Sequence, residues 1–174
     1  MTEPFIRRYE ADDRDDLAYV CLLTGDSGTD ARGLHRDDSI VADVFCLPYL
    51  DFAPELAFVI DDGTGTAVGY IIGVADTDAF YRWFAESWWP PLAARYPVST
   101  PPADTQDRWV LDASGTRTNE QPEYPAHLHI DMLPAAQGRG FGRALIETML
   151  DALRDRGVPG VHLGASAENT GALA

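Results

Sequence analysis

"QGRGFGRAL", residues Gln137 to Leu145, places three glycines and two arginines in nine positions, immediately before an apolar repeat. Glycine weakens a helix interior, so this spacing predicts a backbone that turns with positive φ or closely approaches another group. The apolar repeat that follows is that of an amphipathic helix from about Gly140 to Arg156, ended by Gly157. The stretch therefore predicts a rigid glycine turn at the start of a helix.

The segments around this turn predict the rest of the sheet. "AHLHIDML", residues 126–133, is typical of a strand before the turn, and "GVHLGAS", residues 160–166, of a strand after the helix. Two β-rich runs, Leu56 to Ile60 and Ala67 to Val74, flank a Gly- and Asp-containing turn and predict an antiparallel hairpin. Three further predicted elements are a strand at Phe5 to Tyr9, a helix from Asp12 or Asp13 to about Gly25, and a helix around Phe80 to Trp88 that Pro90 and Pro91 stop.

The region 99–125 is rich in Pro, Asp, Thr and Gln, and only its short "RWVL" segment is typical of ordered structure. Because regular structure resumes directly after it, we interpret this region as a long surface excursion within a single domain that spans residues 1–174. The fold class predicted from this order of elements is α/β (α+β).

The composition limits the classes of partner. Asp and Glu total 28 against 13 arginines and no lysine, which gives a formal charge of −15. Such a surface repels nucleic acids and anionic membranes and favours a cationic partner, although acidity also simply keeps a protein soluble. The first residues show no basic region followed by an apolar one, and no run of about 18 apolar residues occurs, which predicts a soluble, untargeted protein. Cys21 and Cys46 lie in apolar surroundings without metal-ligand spacing, which predicts buried free thiols in a cytoplasmic protein.

The glycine turn is a candidate pyrophosphate site, because the first turn of a helix has unpaired N–H groups and partial positive charge. Arg139 and Arg143 add charge locally in this acidic chain. A Walker A loop requires a lysine, which the chain lacks, and a dinucleotide fingerprint fits poorly because Arg143 stands where its third glycine is expected. A tight turn that binds nothing is the structural alternative.

A third pattern, Gln/Arg-x-x-Gly-x-Gly/Ala after a strand that ends in Pro, is met by Gln137, Gly140 and Gly142 behind Leu133-Pro134. This resembles motif A of the GCN5-related N-acetyltransferases (GNAT). "GASAENTGALA" also looks like the start of the second signature of that family, in which Asn169 lies near the coenzyme arm. The resemblance implies that acetyl-CoA is the co-substrate and that the turn binds its pyrophosphate through Gln137, Gly138, Arg139, Gly140, Phe141, Gly142 and Arg143.

A narrower resemblance spans most of the chain. "PYLDFAPELAFVIDD", "GYIIGVADTDAFYRWFAESWWPPLAARYP" and the strand carrying Asp131 look like the acetyltransferase-like domain of O-GlcNAc hydrolases and its free-standing bacterial relatives. The resemblance implies the GNAT fold, a mixed, mostly antiparallel twisted sheet flanked by helices and splayed between the strands 126–133 and 161–166. It also implies that backbone N–H groups at Met132 and Leu133 bind the thioester carbonyl and the pantetheine arm.

The strand before the turn carries the candidate catalytic residues. Side chains alternate along a strand, so His127, His129 and Asp131 share one face. An amine of pKa about 10 needs a proton acceptor before it attacks a thioester. Asp131 is the first choice, because it adjoins the predicted carbonyl site and matches an acidic position in the resembled subfamily, and His129 relays the proton.

Alternatives to these catalytic roles remain open at this stage. Asp131 can instead satisfy a neighbouring loop, and the histidines can pack beneath the excursion. A metal site on the His-x-His-x-Asp row is disfavoured, because same-face residues of one strand rarely close a site alone. The aromatic residues Tyr81, Trp83, Phe84, Trp88, Trp89 and Trp109 are expected to form core and lid packing, with one or two members lining an acceptor cleft.

Together these features predict a cytoplasmic acetyl-CoA-dependent N-acetyltransferase that transfers acetyl directly to a primary amine in a ternary complex, with no metal. The alternative is a non-catalytic acyl-CoA-binding pseudo-acetyltransferase module. The second family signature normally continues into a Phe-Tyr pair and two more strands, whereas this chain stops at "NTGALA". We therefore expect that the natural protein is longer or that a partner chain completes the sheet, which leaves a homodimer open.

Overall fold

The computed structural model describes residues 3–97, 107–115, 117–164 and 169. Its centre is a five-stranded sheet in which the strands follow one another in chain order. The first four strands are antiparallel neighbours, and the last lies parallel to the fourth. The strands are β1 (Phe5–Arg8), β2 (Ala57–Asp61), β3 (Ala67–Val74), β4 (Ala126–Met132) and β5 (Val161–His162). The mixed, mostly antiparallel sheet flanked by helices confirms the predicted fold class.

Seven α-helices surround the sheet within the described residues, and none of them is both long and apolar enough to cross a membrane. Two of them, α2 (Ser39–Phe45) and α3 (Leu47–Phe52), lie between the first two strands and were not predicted. The helices are α1 (Arg14–Thr24), α2 (Ser39–Phe45), α3 (Leu47–Phe52), α4 (Thr77–Trp83), α5 (Trp89–Ala93), α6 (Asp107–Ala113) and α7 (Phe141–Arg154).

The α7 helix covers one face of the sheet, as its sequence predicts. Its buried residues Leu145, Met149 and Leu153 recur every four positions and form an apolar stripe. Gly73 in β3 allows this close approach, since a Cβ there would lie 3.2 Å from Met149 Cε. The opposite face of β3 and β4 is covered by the segment that contains α1 to α4, so the two faces of β4 meet different layers.

The sequence predicts that a helix ends before Pro90 and Pro91. This prediction is wrong, because helical structure continues through both prolines. A π-helical turn, Phe84–Trp88, follows α4, and α5 begins at Trp89. Both prolines lie in the first turn of α5, where a missing N–H removes no hydrogen bond of that helix. A new α-helix therefore starts after the π-helical turn, and the two prolines fall in its first turn, where proline is tolerated.

The excursion is more ordered than the sequence indicates. Within it, α6 buries Val110 completely, and the Asp107 carboxylate accepts the Arg36 N–H at 3.1 Å and pairs with the Arg36 guanidinium at 3.2 Å. The segment 98–106 and Thr116 lie outside the described residues, as do residues 165–168 and 170–174, which include the end of the last predicted strand and most of the second signature.

Candidate active site

The polar residues of β4 share one face, as the alternation along the strand predicts. His127, His129 and Asp131 lie opposite Val74, Ile72 and Tyr70 of β3 in the antiparallel register. His127 is buried, whereas His129 and Asp131 are half-buried. A row of three titratable side chains on a mostly apolar sheet is thus retained in the folded protein.

Asp131 is held from the neighbouring strand. The hydroxyl of Tyr70, itself fully buried, donates a hydrogen bond of 2.7 Å to Asp131 Oδ2. Burial raises the pKa of Asp131 above its ordinary value, and the hydrogen bonds from Tyr70 and Thr24 oppose this rise only in part. The carboxyl is therefore a stronger proton acceptor than a solvated aspartate.

The two histidines of the row are joined by a tyrosine from α3. The Tyr49 hydroxyl lies 2.7 Å from His127 Nε2 and 3.0 Å from His129 Nε2, and Thr77 Oγ1 lies 2.8 Å from His127 Nδ1. A hydroxyl carries one hydrogen, so Tyr49 donates to one imidazole and accepts from the other. The four side chains form a continuous hydrogen-bonded relay.

Burial keeps this relay uncharged. Burial, with smaller contributions from His129, His162 and Arg117, lowers the pKa of His127 to about 2, and burial with a smaller contribution from Arg117 lowers that of His129 to about 4. Burial also raises the pKa of Tyr49, which stays a neutral hydroxyl. Both imidazoles are neutral at pH 7, so each has one nitrogen that donates and one that accepts a proton.

Tyr49 and Thr77 are absent from the set of residues predicted from the sequence. Tyr49 precedes His127 by 78 positions, and Thr77 precedes it by 50. The pattern "LPYLDF" offers no polar periodicity that could single out the tyrosine. Only the packing of α3 against β4 brings it to the histidines.

The glycine turn has the geometry that its composition predicts. Gly138 has φ +71° and Gly140, the N-cap of α7, has φ +83°, a left-handed backbone that side chains strain. A Cβ at either position would meet nothing within 4 Å, so conformation rather than space requires glycine. At Gly142 a Cβ would lie 3.1 Å from Met132 Cε, so this glycine lets α7 start directly against the end of β4.

The first turn of α7 presents backbone donors. Its first internal hydrogen bond runs from the Ala144 N–H to the Gly140 carbonyl at 3.2 Å, and no side chain caps the helix start. The N–H groups of residues 141–143 therefore have no partner inside the helix. Arg139 lies 5.6 Å over the Phe141 ring, whereas the charge of Arg143 is offset by Glu147 at 2.7 Å.

Backbone donors of β4 also face an open edge. The Ala126 N–H donates to Gly160 on the β5 side at 3.2 Å, and successive N–H groups of a strand point to opposite edges. The N–H groups of Leu128, Ile130 and Met132 accordingly point toward the β5 edge. Within the described residues β5 ends opposite His127, so beyond that point this edge of β4 has no strand partner among them.

The backbone at the end of β4 contradicts the predicted role of the Leu133 N–H. The Leu133 N–H is not free for a thioester, because it points to the β3 side and donates to the Val68 carbonyl at 3.0 Å. The Met132 carbonyl on the open edge accepts a hydrogen bond of 2.9 Å from Gln137 Nε2. Gln137 thus ties the glycine turn to the strand.

The half-buried Asn169 lies against the turn after α1, where a Cβ on Gly28 would meet its carboxamide at 3.1 Å.

A glycine turn at a helix start, next to a strand that carries a row of titratable side chains, favours an acyl-coenzyme A-dependent transferase. The chain belongs to the acetyltransferase (GNAT) family, which it matches over residues 29–174. Membership of this family supports acetyl-CoA as the co-substrate. The narrower resemblance to the domain of O-GlcNAc hydrolases stays a prediction.

Individual relatives agree with this family. The crystal structure of SsHAT is 43% identical, superposes with a TM-score of 0.91, and is matched over 99% of this chain and 87% of that chain. A GCN5-related N-acetyltransferase from Kribbella flavida is 17% identical, with a TM-score of 0.53 over 98% of this chain and 77% of that chain, and shows the shared fold.

The mycothiol acetyltransferase of Nocardia farcinica (strain IFM 10152) is 38% identical over 91 residues, which cover 51% of this chain and 29% of that protein. The chain therefore matches less than a third of the length of this curated relative.

Proposed function

We propose that the protein is an acetyl-CoA-dependent N-acetyltransferase in which a primary amine attacks the thioester directly. The observation that carries this proposal is the Asp131 carboxyl, whose pKa is raised by burial, one residue before the Met132 N–H on the open edge of β4. A base and an oxyanion donor at adjacent positions of one strand suit acyl transfer to an amine.

The glycine turn is assigned to the coenzyme. The unpaired N–H groups at the start of α7 hold the pyrophosphate, and the Met132 N–H donates to the thioester oxygen. Leu133 is left only with side-chain contacts, and Asn169 is placed near the coenzyme arm. The residues proposed for the pyrophosphate are Gln137, Gly138, Arg139, Gly140, Phe141, Gly142 and Arg143.

Proton transfer assigns roles to the polar row. The amine reaches the site mostly as an ammonium ion, and Asp131 takes one proton from it. The nitrogen then forms a bond to the acetyl carbon, the carbon–sulfur bond breaks, and the departing thiolate takes the second proton. His129, neutral and hydrogen-bonded through Tyr49 to His127, relays a proton along this row.

A non-catalytic acyl-CoA-binding module is the second candidate, and one observation favours it. Asp131 is hydrogen-bonded by Tyr70, and both imidazoles are engaged with Tyr49, so the polar row is satisfied without a substrate. Such a row is also compatible with a purely structural role.

The experiment that separates the candidates measures thiol release from acetyl-CoA across a panel of primary amines, with acetyl-CoA binding followed by calorimetry. We expect amine-dependent release in the wild type, its loss in Asp131→Asn, and full activity in the exposed control Asp15→Asn. Binding without release for any amine supports the non-catalytic module. Absence of binding contradicts both candidates.

A further inference from the structure

The hydrogen bonds of the histidine relay share one direction, because each of its members has a single hydrogen to donate. The relay joins Thr77 Oγ1 to His127 Nδ1 at 2.8 Å, His127 Nε2 to the Tyr49 hydroxyl at 2.7 Å, and that hydroxyl to His129 Nε2 at 3.0 Å. A hydroxyl has one hydrogen and a neutral imidazole has one N–H, so the donor at one bond determines the donors at the other two. Two arrangements are therefore possible, and they run in opposite directions.

Thr77 lies at the buried end of the relay. Its side chain is fully buried, and its hydroxyl has no hydrogen-bond partner other than His127 Nδ1 among the described residues. If the imidazole donated to this hydroxyl, the hydrogen of the hydroxyl would have no acceptor in that part of the chain. A buried donor without an acceptor costs the desolvation of the group, so this arrangement is unfavourable.

His129 lies at the other end of the relay and is only half-buried. Its Nδ1 atom has no partner among the described residues. The buried side-chain polar atoms without a partner there are His35 Nδ1 and two nitrogens of Arg117, and His129 Nδ1 is not one of them. His129 Nδ1 is therefore accessible, and a hydrogen on it can be donated to water or to a bound substrate.

The two ends together favour the arrangement in which the Thr77 hydroxyl donates to His127 Nδ1, by about 10-fold or more. His127 Nε2 then donates to the Tyr49 oxygen, and the Tyr49 hydroxyl donates to His129 Nε2. Because this nitrogen of His129 is an acceptor, the hydrogen of the neutral ring is on Nδ1. His129 and Asp131 are two residues apart on one face of β4, about 7 Å between their Cα atoms, so this donor lies beside the proposed base.

We propose that Thr77 is a positioning residue that acts through His127 and Tyr49 to hold His129 as an Nδ1–H donor. This inference rests on the proposed N-acetyltransferase function and gives the relay one direction, from Thr77 towards His129. His129 then donates a hydrogen bond to the reacting groups, and Asp131 is the residue of the row that accepts the proton of the amine. A hydroxyl is required at position 77, and serine supplies the same group as threonine.

Nitrogen NMR of the imidazole rings in the free protein tests this direction, because protonated and unprotonated ring nitrogens differ in chemical shift. We expect His127 as the Nε2–H tautomer and His129 as the Nδ1–H tautomer. Thr77→Val removes the hydroxyl at nearly constant shape, so both rings should lose their single tautomer, and Thr77→Ser should restore it. Thr148→Val, which removes a hydroxyl bonded to the Ala144 carbonyl in α7, is the matched control and should leave both tautomers unchanged.

Tyr49→Phe tests the order of the relay. This change removes the donor to His129 but leaves the Thr77 hydroxyl on His127, so only His129 should lose its single tautomer. If Thr77→Val does not fold, Tyr49→Phe decides the inference, and a change in both rings or in neither refutes it.

Steady-state kinetics test the role of Thr77 in the reaction. The kcat of Thr77→Val should fall several-fold while KM for acetyl-CoA persists, and Thr77→Ser should recover kcat. The inference is overturned by the reversed tautomers in the wild type, by an unchanged His129 tautomer in folded Thr77→Val, or by an unchanged kcat in that variant. If the wild type acetylates no amine, the proposed function fails, and the tautomers of the free protein still decide the direction of the relay.

Discussion

The Tyr70 hydroxyl donates a hydrogen bond of 2.7 Å to Asp131 Oδ2, and the two residues lie directly opposite each other in the β3–β4 register. Tyr70 is fully buried, and burial together with the charge of Asp131 raises its pKa well above that of free tyrosine. Tyr70 therefore remains a donor across the working pH range. The proposed base on β4 is thus held in place by a residue of the neighbouring strand β3.

Replacement of Asp131 by Asn tests the base. The change keeps the shape of the side chain but removes the proton acceptor, so turnover should fall by ~100-fold or more while acetyl-CoA affinity persists. His129→Ala should cost less if this residue only relays a proton. Steady-state thiol release and calorimetry measure the two effects, and unchanged turnover in Asp131→Asn removes this residue from the mechanism.

Tyr70→Phe tests the positioning of that base. The hydrogen bond from Tyr70 lowers the pKa of Asp131, so its loss should raise that pKa. The acidic limb of the kcat/KM profile, which reports the base in the free enzyme, should accordingly move to higher pH. A profile that keeps its acidic limb in place, provided chemistry limits the rate, shows that Asp131 does not control it.

Gly140→Val tests whether the glycine turn binds acetyl-CoA, and Gly157→Val, at a glycine that also has positive φ, is its control. Gly140→Val forces a branched side chain into a left-handed backbone, which costs about 1–2 kcal/mol, and it displaces the donors at the start of α7. We expect acetyl-CoA affinity to drop by about 10-fold or more. Gly157→Val carries a similar strain at φ +71° beyond the other end of α7 and should lose stability without losing affinity.

Arg139→Ala tests whether backbone N–H groups or the Arg139 side chain bind acetyl-CoA at the glycine turn. Arg139→Ala should weaken acetyl-CoA binding much less than Gly140→Val, because the proposed contacts are backbone N–H groups. Calorimetry on both folded variants gives the comparison. A larger loss in Arg139→Ala would assign the coenzyme phosphates to the guanidinium instead.

The buried histidines predict how stability depends on pH. In the folded protein their pKa values are about 2 for His127 and about 4 for His129, against about 6.5 when unfolded. Between pH 6.5 and 4 the unfolded chain binds up to two more protons than the folded protein, so the free energy of unfolding should decrease as the pH is lowered, by at most about 2.7 kcal/mol per pH unit.

Urea unfolding at pH 7, 6 and 5 measures this slope. The double variant His127→Gln, His129→Gln should show a shallower dependence on pH over this interval, whatever its absolute stability. An equal slope in the wild type and the variant would assign the acid sensitivity to other groups.

Much of this architecture is determined locally by the sequence. The alternation of "HLHIDM" places His127, His129 and Asp131 on one face of β4, because side-chain direction along a strand depends only on position. The glycine turn and α7 are equally local, because positive φ at Gly140 and the apolar period of the helix need no distant partner. These features sufficed to predict β4, the glycine turn and α7.

The tertiary structure decided what these groups can do. Tyr49 reaches both histidines, and Tyr70 reaches Asp131, through contacts between residues 61 to 80 positions apart, which no local pattern encodes. The same holds for Arg117, whose guanidinium lies against the rings of Tyr81 and Phe84 and whose Nε and Nη2 have no hydrogen-bond partner among the described residues. Hydrogen-bond partners and pKa values depend on burial and strand register, and both are set by the packing of the whole chain rather than by neighbours in sequence.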